Sequence, residues 1–397
     1  MKTINRRTFL KASAATAAAT TPMFAGVITP KEDYKALVCI LLEGGADTLD
    51  MVVPKMHASA YDDYRKVRPG IAHDSKKIRP LIGSRYGLHP EMPHLQRLYH
   101  QRNLAIVANV GALEHPTDKA AIIHGSATLP PQLFQKLAQR DHQMMGGNTE
   151  AGWAARVADR MDIPLVNISF GGQNRMQDGG AHAPLIGHDE HFGVLNDPNN
   201  LIGRIKRIDM GVPHKQLEAG IPLSEQLEHV ASLMAARRSA KLPGRQIYFV
   251  RQSGWDTHGL QSDEIVRKNR RNTAELDAAV GAFVATLDQL GLSENVTTFT
   301  TQDLASGMAL TPTGADHGWG GHSFVIGGAV RGGIHGTLPR IAPHSPDALD
   351  DSAVIPTIAT DQYLATLVDW LGDGKLDVDT IFPRLHRFER RTLGFMV

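Results

Sequence analysis

Asp316, His317 and His322 fall within seven residues of one another in the stretch Ala315-Asp316-His317-Gly318-Trp319-Gly320-Gly321-His322. A carboxylate and two imidazoles are donors suited to a divalent cation of borderline hardness, and the intervening glycines let the backbone bend all three towards one point. The competing reading is a glycine-rich turn whose Asp and His bond only their own loop. A second cluster, Trp255-Asp256-Thr257-His258, again pairs Asp with His. Asp256 and His258 are i and i+2, so in an extended segment both project to one side and one ion could take both. Two such clusters in one chain point to a single composite site.

The elements around these clusters decide whether they can meet. Residues 34–42 (YKALVCILL) form an apolar run too short for a typical helix, as expected of a buried central strand. It runs into Glu43-Gly44-Gly45-Ala46-Asp47, which puts Asp47 just past the end of a strand, where open α/β sheets bind ligands. Asp50 is the neighbouring alternative, and a cap or turn role is the plainer reading of Asp47. Further strands are expected at 104–110, 164–170, 246–251, 295–301 and 324–327, with amphipathic helices at 222–241, 275–290 and 361–371. The strand at 246–251 delivers Asp256 and His258, and the strand at 295–301 delivers Asp303. Strands alternating with helices predict an α/β fold, a three-layer sandwich with a largely parallel central sheet and helices on both faces. The loop after 104–110 carries Thr117 and Ser126, the hydroxyls available as a nucleophile, although Ser and Thr are common loop residues.

Asp47, Asp256, His258, Asp303, Asp316, His317 and His322 thus form the pool of candidate ligands. Such a set suits zinc, with manganese, magnesium or calcium where carboxylates dominate. It is large enough for two ions about 3.5–4 Å apart, which would neutralise the attacking and leaving oxygens of a displacement at phosphorus or sulfur.

With 42 basic and 41 acidic residues the net charge is +1, so nothing in the overall balance favours nucleic acid or an anionic membrane surface; a small anionic ester fits better. The single cysteine, Cys39, lies inside the first apolar run, which excludes an internal disulfide and assigns it to packing. Asn5-Arg6-Arg7-Thr8-Phe9-Leu10-Lys11, followed by an Ala/Thr-rich stretch, reads as a twin-arginine export signal. Residues 1–30 are therefore taken as signal and linker, and 31–397 as one α/β domain with a loop-rich insertion near 173–213. The expected partner for the signal is the twin-arginine machinery, and the expected location is the periplasm or outside the cell. No other stretch is long and apolar enough to span a bilayer.

LLEGGADTLDMVVP from Leu41, LPPQLF from Leu129, SGWDTHGLQ from Ser253, VTTFTTQD from Val296, DHGWGGHSFVIGGAVRGG from Asp316 and TDQYLATLVDWLG from Thr360 together resemble the exported bacterial family known as domain of unknown function 1501, related to the alkaline phosphatase and sulfatase superfamily. The resemblance covers nearly the whole chain. It implies an alkaline phosphatase-like fold, a two-metal esterase site and an exported hydrolase of phosphate or sulfate esters; the alternative is a non-catalytic exported member that binds an anionic ligand or a protein partner. Two departures stand out. Similar chains read Ser-Asp-Phe-Gly-Arg where this one has Gln302-Asp303-Leu304-Ala305-Ser306, and Leu-Phe-Ser-His-Asn-Asp where it has Leu133-Phe134-Gln135-Lys136-Leu137-Ala138.

Overall fold

A strand that is apolar on both sides of its pleat must be covered on both faces. β1 (Lys35–Leu42) meets that requirement at the middle of a 10-stranded sheet. Ala36, Val38, Ile40 and Leu42 enter one buried cluster, and Leu37, Cys39 and Leu41 enter another on the opposite face. Cys39 is a fully buried packing residue, and burial pushes its thiol far above the ordinary range. The structure is a computed structural model that describes residues 33–55, 58–146, 150–162, 164–182, 184–188, 191–193, 221–311, 314–350 and 352–397. The export signal, residues 194–213 of the expected insertion and residues 214–220 after it lie outside the described residues.

In chain order the strands that frame the site are β2 (Leu104–Gly111), β3 (Leu165–Ser169), β4 (Arg245–Gln252), β5 (Val296–Gln302), the hairpin β6 (Ala305–Thr311) and β7 (Gly314–Gly318), and β8 (Gly321–Ile326). β4 and β5 flank β1 in parallel register, with Val38 opposite both Tyr248 and Thr298, and β3 continues the parallel set beside β4. β8 is antiparallel to both β5 and β2. The centre of the sheet is therefore parallel, and all its strands open towards one edge.

Helices α1 (Leu223–Ala236) and α2 (Ser262–Leu290) cover the first face through Leu227, Val230, Leu276, Val280 and Phe283. Helix α3 (Thr360–Leu371) covers the second with Tyr363, Leu364, Leu367 and Val368 against Trp153. The expected three-layer α/β sandwich is the observed one. Helix α2 begins at Ser262, well before the apolar stripe that starts near residue 276. Its first half is mostly charged and is held by local bonds: the Gln261 amide donates to Glu264 Oε2 at 3.0 Å in a capping box, and Gly291 closes the other end at φ 68°.

His229 on α1 is buried, stacks on Phe170 at 5.2 Å between ring centroids, and has no partner at Nδ1. Burial lowers its pKa from the ordinary 6.5 to about 4. The folded state then binds fewer protons than the unfolded chain, so stability falls as pH drops from 6.5 towards 4 and levels off below. His229→Leu is expected to remove on the order of 3 kcal/mol of that acid-dependent loss, read from urea unfolding at pH 7 and pH 4. An unchanged difference between the two pH values would show that His229 is not the group responsible.

Candidate metal centre

The loops after β1, β4 and β5 meet at the open edge of the sheet, and Gly44 is where they touch. Its φ is +112°, and a Cβ there would lie 2.7 Å from the Asp256 amide nitrogen, so only glycine lets the two loops approach this closely. Trp255 N donates to Glu43 O at 3.2 Å, completing the junction. Asp303, at the end of β5, is fully buried and accepts from Gly44 N at 2.9 Å, Gly45 N at 3.2 Å and Leu304 N at 3.0 Å. Burial raises its pKa, opposed by these amides and by the charge of Lys136.

Asp47 caps the short helix Thr48–Met51, accepting from Asp50 N at 3.1 Å. Both its oxygens also meet the guanidinium of Arg68: Nη1 to Oδ2 at 2.6 Å and Nη2 to Oδ1 at 3.0 Å. Arg68 follows the helix Ala58–Val67 and is 1% exposed. Asp50 bonds His73 Nε2 at 3.0 Å and Tyr64 OH at 3.1 Å, and lies 3.6 Å from Arg68 Nη1. Burial works against the Asp50 charge, but His73 and Arg68 outweigh it and hold the carboxyl well below the usual range. With His89 these residues form a trio, Asp50, His73 and His89, whose possible ligand atoms all lie within 4.8 Å of one another; it is the single such trio among the described residues. In the sequence Asp50 stands only as a rival to Asp47, while His73 falls in an irregular polar stretch and His89 in a short turn, neither with a periodic signal.

Three of the other candidate ligands line a cavity of about 400 Å³ beside the β6–β7 hairpin. His258, Asp316 and His317 line it, with Phe134, Asp350 and Ser352. Gly314 keeps the two chain segments together, since a Cβ there would lie 2.5 Å from Thr257 O. The Asp316–Gly318 stretch is not an isolated turn but strand β7, with His317 opposite Ser306 on β6. The segment carrying Asp256 is turned rather than extended: its Oδ1 accepts from His258 N at 3.0 Å, Asp256 is exposed, and it does not line the cavity. Two cavity residues that are not glycine, Phe134 at φ 76° and Asp350 at φ 46°, hold left-handed backbone conformations, a strain that concentrates at functional sites.

Hydrogen bonds distinguish the imidazoles. His317 Nδ1 lies 3.3 Å from Phe134 O, and a carbonyl can only accept, so Nδ1 carries the proton and Nε2 keeps a lone pair for a ligand. This is the arrangement by which an outer carbonyl orients a metal-binding histidine. His322 is the reverse case. Its Nδ1 accepts from Asn109 N at 3.2 Å, its backbone N–H donates to Thr48 Oγ1, and burial together with the nearby Arg68 charge lowers its pKa to about 3. The neutral ring therefore carries its proton on Nε2. His89 is likewise committed, accepting from Glu91 N at Nδ1 at 3.0 Å.

Neither sequence-nominated hydroxyl lines the cavity. Ser126 is exposed and donates to Ala121 O at 3.1 Å, and the buried Thr117 Oγ1 has no protein partner. Ser352, which the sequence reading did not single out, is the cavity hydroxyl.

Structural comparison finds similar solved folds at low identity. A protein of the alkaline phosphatase superfamily from Vibrio parahaemolyticus shares 12% identity at a TM-score of 0.41, over 93% of this chain and 75% of that one. A glycosaminoglycan-locus sulfatase from Bacteroides thetaiotaomicron shares 10% at 0.42, over 88% and 74%. The lipoteichoic acid synthase LtaP from Listeria monocytogenes shares 11% at 0.39, over 85% and 72%. Among curated proteins none matches the chain by sequence. Residues 3–22 match the twin-arginine translocation signal, so the protein is exported to the periplasm or beyond, and no helix among the described residues is long and apolar enough to cross a membrane. Residues 213–368, which span both the WDTH and DHGWGGH segments, match the family model described as Protein of unknown function (DUF1501), the family the chain's motifs resemble.

Proposed function

We propose that this exported protein is a metal-dependent hydrolase of small phosphate or sulfate esters, working at the cavity between the loop after β4 and strand β7. The observation that carries the reading is the orientation of His317, whose Nδ1 bond to Phe134 O leaves Nε2 free in the cavity that Asp316 and His258 also line. Two imidazoles and a carboxylate are donor types suited to a divalent ion, zinc first, with manganese, magnesium or calcium as alternatives; their ligand atoms do not converge as those of Asp50, His73 and His89 do, so binding requires the side chains to rotate towards the ion. Asp256, two residues before His258 and exposed, stays off the cavity wall and accepts the His258 backbone N–H. When bound, such an ion polarises the ester and lowers the pKa of a bound water.

The chain's own residues do the rest. Phe134 O fixes the His317 tautomer, the wall of Phe134, Leu349 and Ala353 shields one side, and Ser352 offers a hydroxyl to a substrate oxygen. With Gln135 and Lys136 in place of the Ser-His of similar chains, and Ser126 and Thr117 off the cavity wall, water is the nucleophile of this reading. Arg68 favours a second reading, in which the protein binds an anionic ligand without turnover, because it pairs both oxygens of Asp47 with a protein cation. The deciding experiment is hydrolysis of aryl phosphate and aryl sulfate esters by the export-processed protein loaded with zinc or manganese. Turnover that disappears with chelator and returns with metal supports the enzyme; turnover indifferent to chelation, or none across both ester classes, sinks it in favour of binding.

A further inference from the structure

We infer that Arg68 takes the place of a metal ion beside Asp47, so that the protein holds an ion at the cavity alone and keeps a second, latent cation site closed with its own guanidinium. The inference rests on the cavity reading only for the first ion. For the second, the geometry is independent. Arg68 meets both oxygens of Asp47, reaches 3.6 Å from Asp50 Oδ1, and donates from Nη2 to Gly307 O at 3.4 Å. Asp47, Asp50 and Arg68 are each at most 5% exposed. Two buried carboxylates face one buried guanidinium, and His73 Nε2 bonds the second of them. The guanidinium is already their common counter-charge, and a divalent ion added beside it would bury uncompensated positive charge.

Without the guanidinium the same chamber is a cation site. Asp47 and Asp50 would lose their common counter-charge, and an ion beside His73 Nε2, already 3.0 Å from Asp50 Oδ2, would draw in Asp47, which stands outside the trio of Asp50, His73 and His89 whose ligand atoms lie within 4.8 Å of one another. Two carboxylates and an imidazole suit zinc or manganese. His89 adds little, because its Nδ1 is engaged by Glu91 N and its Nε2 holds the proton. Gly307 lies between the two centres: its carbonyl faces Arg68, and a Cβ on it would stand 3.1 Å from Asp316 O, so the latent site and the cavity are separated by one strand.

The test is metal content by elemental analysis, beside zinc titration by calorimetry, for the export-processed parent, Asp47→Asn, Arg68→Met and the double variant. The parent and Asp47→Asn are expected to bind the same amount, about one equivalent, and Arg68→Met to gain about one more that the double variant loses. A parent that binds no ion while Arg68→Met gains one would end the cavity reading and leave this inference standing. Loss of an equivalent on Asp47→Asn alone would overturn it, as would a folded Arg68→Met that gains nothing. Should Arg68→Met fail to fold, the Asp47→Asn comparison decides by itself.

Discussion

His317→Ala is expected to lower ester turnover by about three orders of magnitude and to remove the bound ion, while leaving the unfolding midpoint close to that of the parent. The size follows from losing an ion that contributes several kcal/mol of transition-state stabilisation, at 1.36 kcal/mol for each factor of ten. The stability expectation follows from burial: His317 is only partly covered, and its side chain makes one hydrogen bond among the described residues, the 3.3 Å bond to Phe134 O. His322→Ala is the informative partner. That ring is 3% exposed and accepts the Asn109 amide, so removing it orphans a buried donor, which costs about 1–3 kcal/mol, and opens a cavity, yet it should leave the metal content intact. Elemental analysis and steady-state kinetics on the two variants separate the roles. The assignment reverses if His322→Ala loses the ion and His317→Ala keeps it.

The reason these two histidines can be told apart only in three dimensions is that sequence spacing does not report tautomers. His317 and His322 sit in one glycine-rich stretch and look equivalent there. What separates them is a carbonyl from residue 134 and an amide from residue 109, both distant in the chain. The sheet was far more legible, because buried strands such as residues 34–42 and 295–301 announce themselves by unbroken apolar or β-branched runs, and the observed β1 and β5 begin and end within a residue of those bounds. The first half of α2 was missed because its stability is local, in the Gln261–Glu264 box, rather than in an apolar stripe. The Asp316 stretch was read as a bend because glycines outnumber apolar residues in it, whereas pairing with β6 makes it a strand. Arg68 carried no signal at all: one arginine among 42 basic residues gives no hint that it is buried against Asp47.

Asp303→Ala is expected to be the most destabilising single change at the sheet edge, by about 4 kcal/mol in urea unfolding. Three amide donors, of Gly44, Gly45 and Leu304, converge on its Oδ1, and Gly44 reaches Oδ2 as well at 3.1 Å. Leaving buried donors unsatisfied costs about 1–3 kcal/mol each, reduced where water can enter. The consequence extends beyond stability, because the Gly44 turn is also what the Asp256 backbone packs against. Asp303→Asn isolates the cause. An amide oxygen in the Oδ1 position keeps the convergent bonds, so this variant should lose only about 1–2 kcal/mol, and its metal content should equal the parent's. A metal ligand would behave in the opposite way, since an amide is a far poorer donor to a cation than a carboxylate. A stable Asp303→Asn protein without its ion would therefore move Asp303 from holding the Gly44 turn to holding the metal, and would require the cavity and the sheet edge to act as one site.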